Sequence, residues 1–296
     1  MLQNEVIFVN NFAILGKISK EKITPLIFSY MGKSILFLDY ETRLRFSVYR
    51  ACYTAVPAEG CLMSQKVKSI IAEAKAQGRK KLLEHESMAL LEAYGIPLAP
   101  YFFIKDESEI NLAAEKVGFP AVIKIVSPDI VHKSDVGGVI IGINDLSSMK
   151  EAISKIRENV ARNQPGAQVT GFLVQKMLPK GGIEVIVGGI RDPVFDATVM
   201  FGLGGIFVEI FKDVSFRIAP ITEAEALDMI NEIRSRKLLE GYRGDTPKDK
   251  KAIANIIVKA AQLIYENQEI KEMDINPVIA YQNGAYAVDA RFILNL

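Results

Sequence analysis

The sequence predicts an α+β fold with mixed or antiparallel sheets, and three observations carry that prediction. From Met63 onward, segments with an apolar residue every third or fourth position alternate with short apolar runs of strand length. The chain closes on two strand-like segments joined by Asn283-Gly284, a dipeptide that favours a tight hairpin turn. No internal repeat or low-complexity tract breaks this order. At 296 residues the chain has the length of one bilobed unit or two domains.

Residues 1–62 stand apart. Nine Phe and Tyr residues fall there without a long helical period, and Ser34-Ile35-Leu36-Phe37-Leu38 alternates like a strand. A small appended domain, an ill-ordered extension and sequence upstream of the true start all fit this stretch, which is treated as an N-terminal extension. A helix is then expected from Met63, with Ser64 as N-cap, Val67, Ile70, Ile71 and Ala74 on one face, and Gly78 as its stop. A second runs from Glu84 to Tyr94. A third follows Asp106 as N-cap, with Glu109 three residues on, and stops near Gly118. Ala121–Val126 reads as a buried strand, and residues 147–162 as a helix presenting Met149, Ile153, Ile156 and Val160. Strands are expected at about 170–177, 183–190 and 194–200, followed by a glycine-rich loop. Thr222 and Glu225 form a capping box, and Thr246-Pro247 opens a longer helix. Strands at 271–281 and 285–290 end the chain.

Composition excludes several functions. Lys and Arg number 36 against 35 Asp and Glu, a net charge of +1, so no cationic surplus exists to displace counterions from nucleic acid. Two cysteines, Cys52 and Cys61, build neither a disulfide framework nor a Cys-based zinc site, and two histidines exclude a three-histidine metal centre. No apolar run of about 18 residues predicts a membrane span. The opening MLQNEVIFVNNFAIL carries no basic leader, and the expectation is a soluble, cytoplasmic protein.

Four stretches carry residues able to do chemistry. Lys124 lies inside the apolar strand AVIKIV, where an ammonium needs an anion or a path to water. It contacts a phosphate in a cleft, or it faces solvent. In VHKSDVGGV, His132 precedes Gly137-Gly138; a histidine can carry a proton or act as nucleophile, and is otherwise a surface residue. In MFGLGGIFVEIFKDVSFRIAPI, Gly202, Gly204 and Gly205 can form an anion-binding nest with Lys212 and Arg217 nearby, or simply a flexible connection. In the C-terminal hairpin, Asp274 and Asn276 share a strand face and Asp289 returns opposite them. That hard-oxygen set suits Mg²⁺, with a charged hairpin face as the alternative.

These pieces in this order resemble an ATP-grasp domain, and AVIKIVSPDIVHKSDVGGV, VQKMLPKGGIEVIVGGIRDP and DINP resemble the β subunit of ADP-forming acetyl-CoA synthetase over about residues 64–296. The β subunit of succinyl-CoA synthetase is a more distant relative. The resemblance implies two α+β lobes clamping a nucleotide, an N-terminal lobe with its linker helix over 63–170 and a C-terminal lobe over 171–296. It implies that Lys124 holds the phosphates, that Gln175, Lys176, Met177 and Leu178 form the adenine hinge, and that Glu184 touches the ribose or the phosphate network. Gly204, Gly205 and Arg217 would lie near the phosphates, and Asn276 and Asp289 would ligate Mg²⁺. His132 would be a second phosphate carrier, oriented by Asp274, which stands where the succinyl-CoA synthetase relatives have a glutamate that orients a phosphohistidine.

The implied reaction is acyl-CoA + ADP + phosphate ⇌ acid + ATP + CoA, with ATP or ADP as substrate. The CoA site and the first phosphohistidine would reside on an α subunit in an α2β2 assembly. No G-x-G-x-x-G fingerprint is present in this chain to supply a Rossmann-like unit. The alternatives are an ATP-grasp ligase that uses a direct acyl phosphate, and a nucleotide-sensing subunit without chemistry.

Overall fold

A computed structural model describes residues 4–9, 12–17, 58–130, 132–205, 211–242 and 244–295. The expected strand at 34–38 lies outside them. The chain divides into two units, Met1–Ala58 and Glu59–Leu296. The first contributes an antiparallel pair, β1 (Asn4–Val9) with β2 (Phe12–Lys17).

In the second unit, α1 (Ala58–Ala76) starts five residues before the expected Met63, so Ser64 lies inside the helix rather than capping it. Val67, Ile71 and Ala74 are buried as its 3.6-residue spacing requires. The helix α2 (Glu84–Ala93) begins where Glu86 reaches back to accept from the Leu83 N–H at 2.8 Å, while Arg79 grips the same carboxylate at 2.8 and 2.7 Å.

Four strands form a small antiparallel sheet in the order β3-β6-β4-β5: β3 (Tyr101–Ile104), β4 (Ala121–Val126), β5 (Val139–Ile143) and β6 (Gly171–Lys176). Two helices back one face of it, α3 (Ile110–Val117) and α4 (Leu146–Asn163). Asp145 caps α4 by accepting from the Ser148 N–H at 2.8 Å, and Met149, Ile153, Ile156 and Val160 pack against Ile123, Ile125, Phe172 and Val174 of the sheet. The expected boundary at 170/171 is displaced, because β6 pairs with β3 and β4 and so belongs to the small sheet.

Six strands form the large sheet, in the order β11-β10-β7-β8-β9 with β12 also on β10: β7 (Ile183–Asp192), β8 (Asp196–Leu203), β9 (Val214–Ile218), β10 (Ile270–Ala280), β11 (Ala285–Ala287) and β12 (Ala290–Leu294). All of its pairings are antiparallel. One face is the main core: Val185, Val187, Phe201, Met273, Ile275 and Phe292 meet α5 (Glu223–Glu232) and α6 (Lys250–Glu266). Each fully buried Ile, Leu or Phe contributes about 1.5–3 kcal/mol. The capping box at Thr222 and Glu225 forms as expected, whereas α6 starts from Asp249, which accepts from the Ala252 N–H, rather than from Thr246-Pro247.

Residues 63–98, expected in the N-terminal lobe, join this core instead. Val67, Ile71, Leu82, Met88, Leu90, Leu91 and Ile96 lie in the same apolar cluster, and the backbone runs beside β12 and β11, with Leu82 N–H donating to Phe292 O and Ala99 N–H to Ala287 O. The returning strand expected at 285–290 is broken in two. Val288 and Asp289 occupy the break, opposite a register shift in β10 between Ile275 and Val278. Pro277 sits in that shift, where its missing N–H leaves no ladder bond unmade. Among the described residues no helix is long and apolar enough to cross a membrane.

Candidate functional site

The outer faces of the two sheets meet at a cavity of about 680 Å³. Strand parity selects its walls. In β4, Ile123 and Ile125 point to α3 and α4, so Val122 and Lys124 point to the cavity. In β7, Val185 and Val187 point to the main core, so Glu184 lies on the opposite, open face beside Ile279 of β10. The segment Gln175–Leu178 and the loop Pro179–Gly182 also line it, and the loop His132–Asp135, with His132 exposed, lies on the rim.

Lys124 is nearly buried, and its ammonium donates to Glu84 Oε1 at 2.8 Å and Val288 O at 3.1 Å. Gln175, also buried, donates to the same Val288 carbonyl at 3.0 Å. The Lys133 ammonium lies 2.8 Å from Glu84 Oε2, off the direction of a good hydrogen bond, and donates to Asp289 Oδ2 at 3.4 Å. Burial alone would raise the Glu84 pKa, but Lys124 and Lys133 hold it below the ordinary carboxylate range. Burial, and then repulsion from Glu84, push Asp289 up against the pull of the same lysines. Lys133 is raised: Glu84 and Asp289 outweigh its own burial. Four charges from α2, β4, the β4–β5 loop and the β11–β12 break thus meet at one end of the cavity.

The backbone of Gln175–Leu178 is partly committed. Lys176 N–H donates to Pro100 O at 2.7 Å and Met177 N–H to Pro120 O at 3.0 Å. Tyr281 donates its hydroxyl to Pro179 O at 2.6 Å, tying the loop to β10. Two glycines are forced by close approach. A Cβ on Gly204 would sit 2.9 Å from Glu184 Cβ, and one on Gly138 would sit 2.6 Å from Ile125 Cγ2 and 3.0 Å from Lys133 O, where the His132–Lys133 loop turns back on β4.

A second cavity of about 320 Å³ lies further along the open face of the large sheet, with Asp274, Asn276, Gly188, Met200, Phe216 and Arg291 on its lining. Asp274 lies 3.9 Å from Arg291; its pKa is raised by burial, which outweighs that arginine.

The structure therefore brings together Lys124, Gln175, Lys176, Met177, Leu178, Glu184, His132 and Asp289 on one cavity. Asn276 faces the neighbouring cavity, although its N–H donates to Asp289 O at 3.1 Å, so the two candidate ligands adjoin through the backbone. Among the described residues no three of His, Cys, Asp and Glu gather into a metal-binding group, leaving one carboxylate and one amide oxygen as the donor set. Asp274 and His132 are not brought together: they line different cavities. Arg217 is a correction. It shares the strand face of Ser215, whose hydroxyl donates to Met229 O of α5, and it is ion-paired with Glu232 of the same helix. It is turned from the open face, and the expected place near the phosphates does not hold. Gly204 packs on Glu184, and Gly205 has a φ of +61°; neither is among the described residues lining these two cavities. From sequence, Glu84 has no role beyond the start of a helix, and Lys133 none beyond membership of the VHKSDVGGV stretch. An acid in the first turn of a helix is ordinary helix chemistry, and only the fold shows this one buried between two lysines.

The family model for the ATP-grasp domain matches residues 73–294. The chain belongs to the ATP-grasp family. Within it, the sequence is 50% identical over 229 residues to the β subunit of acetate–CoA ligase [ADP-forming] I of Pyrococcus furiosus, covering 77% of this chain and 98% of that protein. The ATP-grasp fold seen here is also that of acetyl-coenzyme A synthetase 1 of Ca. Korarchaeum cryptofilum, solved in complex with coenzyme A and Ca-AMPCP. That match has a TM-score of 0.74 at 49% identity and covers 77% of this chain and 99% of that one. A further structure of that protein, with Mg-AMPPCP and its phosphohistidine segment pointing towards the nucleotide binding site, matches with a TM-score of 0.69 at 46% identity over 77% of this chain. This ATP-grasp chain is thus a member of the branch of ADP-forming acetate–CoA ligase β subunits.

Proposed function

We propose that this ATP-grasp chain is the nucleotide-binding half of an ADP-forming acyl-CoA synthetase, catalysing acyl-CoA + ADP + phosphate ⇌ acid + ATP + CoA with an α subunit that carries the CoA site and a first phosphohistidine, as α2β2 in the cytoplasm. One observation carries the reading. Motifs as distant as Lys124, Gln175–Leu178 and Asp289 converge on a single interlobe cavity with His132 on its rim. The similarity to acetate–CoA ligase β subunits supports the same reaction.

In this reading the purine lies against Gln175–Leu178 and Tyr281, the ribose towards Glu184, and the polyphosphate towards Lys124 and Lys133. Gly204 and Gly205 shape the wall behind Glu184 rather than touching phosphate. Asp289, on the phosphate cavity, is a hard oxygen donor of the kind Mg²⁺ takes when phosphates and waters complete its shell; Asn276 would join it from the neighbouring cavity, and Mg²⁺ bound there would neutralise phosphate charge. His132, exposed on the rim, is the carrier. Its N–P bond breaks as a terminal β-phosphate oxygen of ADP forms the new O–P bond, and the imidazole leaves and regains a proton. Such a transfer requires positioning and charge neutralisation more than covalent help. Asp274 faces the second cavity. There it orients an incoming phosphohistidine of the partner rather than His132, which lines the other cavity.

The test is to incubate the chain and its α partner with Mg²⁺ and γ-labelled ATP. An acid-labile, base-stable label on this chain, lost in His132→Ala together with overall turnover, is expected. Turnover retained in His132→Ala would instead indicate a ligase using a direct acyl phosphate.

A further inference from the structure

The end of the cavity assigned to phosphate is organised by a residue that does not line it. Glu84 presents a carboxylate with 3% of its side chain exposed, from the first turn of a helix anchored in the main core. Its two oxygens are divided between Lys124 of β4 and Lys133 of the β4–β5 loop, each at 2.8 Å. Both lysines belong to the small sheet and its connections, whereas Glu84 packs with the large one. We infer that Glu84 is a positioning residue that seats both ammonium groups at the phosphate end of the cavity and joins the two lobes there. This inference rests on the nucleotide reading above.

Two features favour positioning over competition with the ligand. Each ammonium has three protons. Lys124 uses two, on Glu84 and Val288 O, and Lys133 has two partners, Glu84 and Asp289, so each keeps one for a phosphate oxygen. The carboxylate also holds the two cations within about 8 Å of each other, the most that two contacts of 2.8 Å to one carboxylate allow. Without a buried anion between them, the ammonium groups would repel and turn towards separate solvent positions. The charge that phosphate meets is therefore set before the ligand arrives, and nucleotide binding need not order two long side chains.

The test is calorimetric and uses the full chain. Wild type, Glu84→Gln and Glu84→Asp are titrated with MgADP and, separately, with adenosine, and each is melted to confirm a cooperative fold. Glu84→Gln should weaken MgADP by about tenfold or more, the scale of one charge-assisted contact, while adenosine stays within about twofold of wild type. Glu84→Asp should recover part of the loss. A merely structural role would weaken both ligands alike, and that result would overturn the inference. So would MgADP binding to Glu84→Gln as tightly as to wild type, or more tightly, the sign of a carboxylate that competes with phosphate. If Glu84→Gln does not fold, Glu84→Asp is held to the same selective but smaller loss, and MgADP bound by folded Glu84→Asp as tightly as by wild type would overturn the inference. Failure of wild type itself to bind MgADP would overturn the nucleotide reading, a different result from a variant that binds normally.

Discussion

Replacing Lys124 with Met keeps most of the side chain's length and deletes the ammonium. What is lost follows from the contacts. The Val288 carbonyl keeps its bond from Gln175 at 3.0 Å, whereas Glu84 Oε1 loses its hydrogen bond and the carboxylate keeps only the charge of Lys133, 2.8 Å from Oε2. Breaking a buried ion pair outright costs about 3–5 kcal/mol, because one charge stays buried and unpaired. Here the remaining lysine compensates, and a destabilisation of about 1–3 kcal/mol is expected, in the range of a lost buried hydrogen bond. The ligand loses one charge-assisted contact to phosphate, worth about 1.5–3 kcal/mol, or roughly 10- to 150-fold in affinity. Chemical denaturation measures the first quantity, and calorimetric titration with MgADP the second, with adenosine as the ligand that should not respond. Unchanged MgADP affinity in a folded Lys124→Met protein would refute the placement of phosphate beside Lys124.

Three further outcomes are expected. Arg217→Ala should leave MgADP affinity within about twofold of wild type and cost no more than about 1 kcal/mol in denaturation, because the arginine pairs with half-exposed Glu232 on α5; a large affinity loss would return Arg217 to the site. Asp289→Ala should weaken MgADP while sparing adenosine, read by titration with and without Mg²⁺; equal losses for both ligands would contradict a metal-ligand role. Glu84, with a folded pKa below its ordinary 4.5, contributes stability that is present above that value and lost as pH falls through the depressed one. Denaturation below pH 4.5 should therefore show a steeper acid loss in wild type than in Glu84→Gln, and parallel curves would contradict the ion-paired state of Glu84.

Much of the fold was legible because local patterns were strong. Ala121–Val126 and the α4 face follow from their apolar periods, and the cap at Thr222 from its side chain. Lobe membership was not legible. Nothing in Gly171–Lys176 as a string says which sheet it joins, and the expected boundary fell on the wrong side of it. The same holds for residues 63–98, whose apolar face fits either lobe. The start of α1 was missed because Ser64 imitates an N-cap within a helix already under way. For the site, Lys124 stood out as a charge in an apolar strand and the C-terminal hairpin as a set of hard oxygen donors, whereas the adenine hinge stood out by resemblance alone. Arg217 misled because its composition suggested phosphate while its strand parity, one residue from outward-facing Phe216, turned it to α5. Glu84 and Lys133 were invisible because their meaning lies in a contact between elements about 50 residues apart in the chain, with β4 between them.

The most direct measurement is an experimental structure of this chain bound to MgADP. The account predicts the purine against Gln175–Leu178, with phosphate oxygens within about 3 Å of the Lys124 and Lys133 ammonium groups and both lysines still on Glu84. A nucleotide bound with its phosphates away from Lys124, or outside the interlobe cavity, would contradict it.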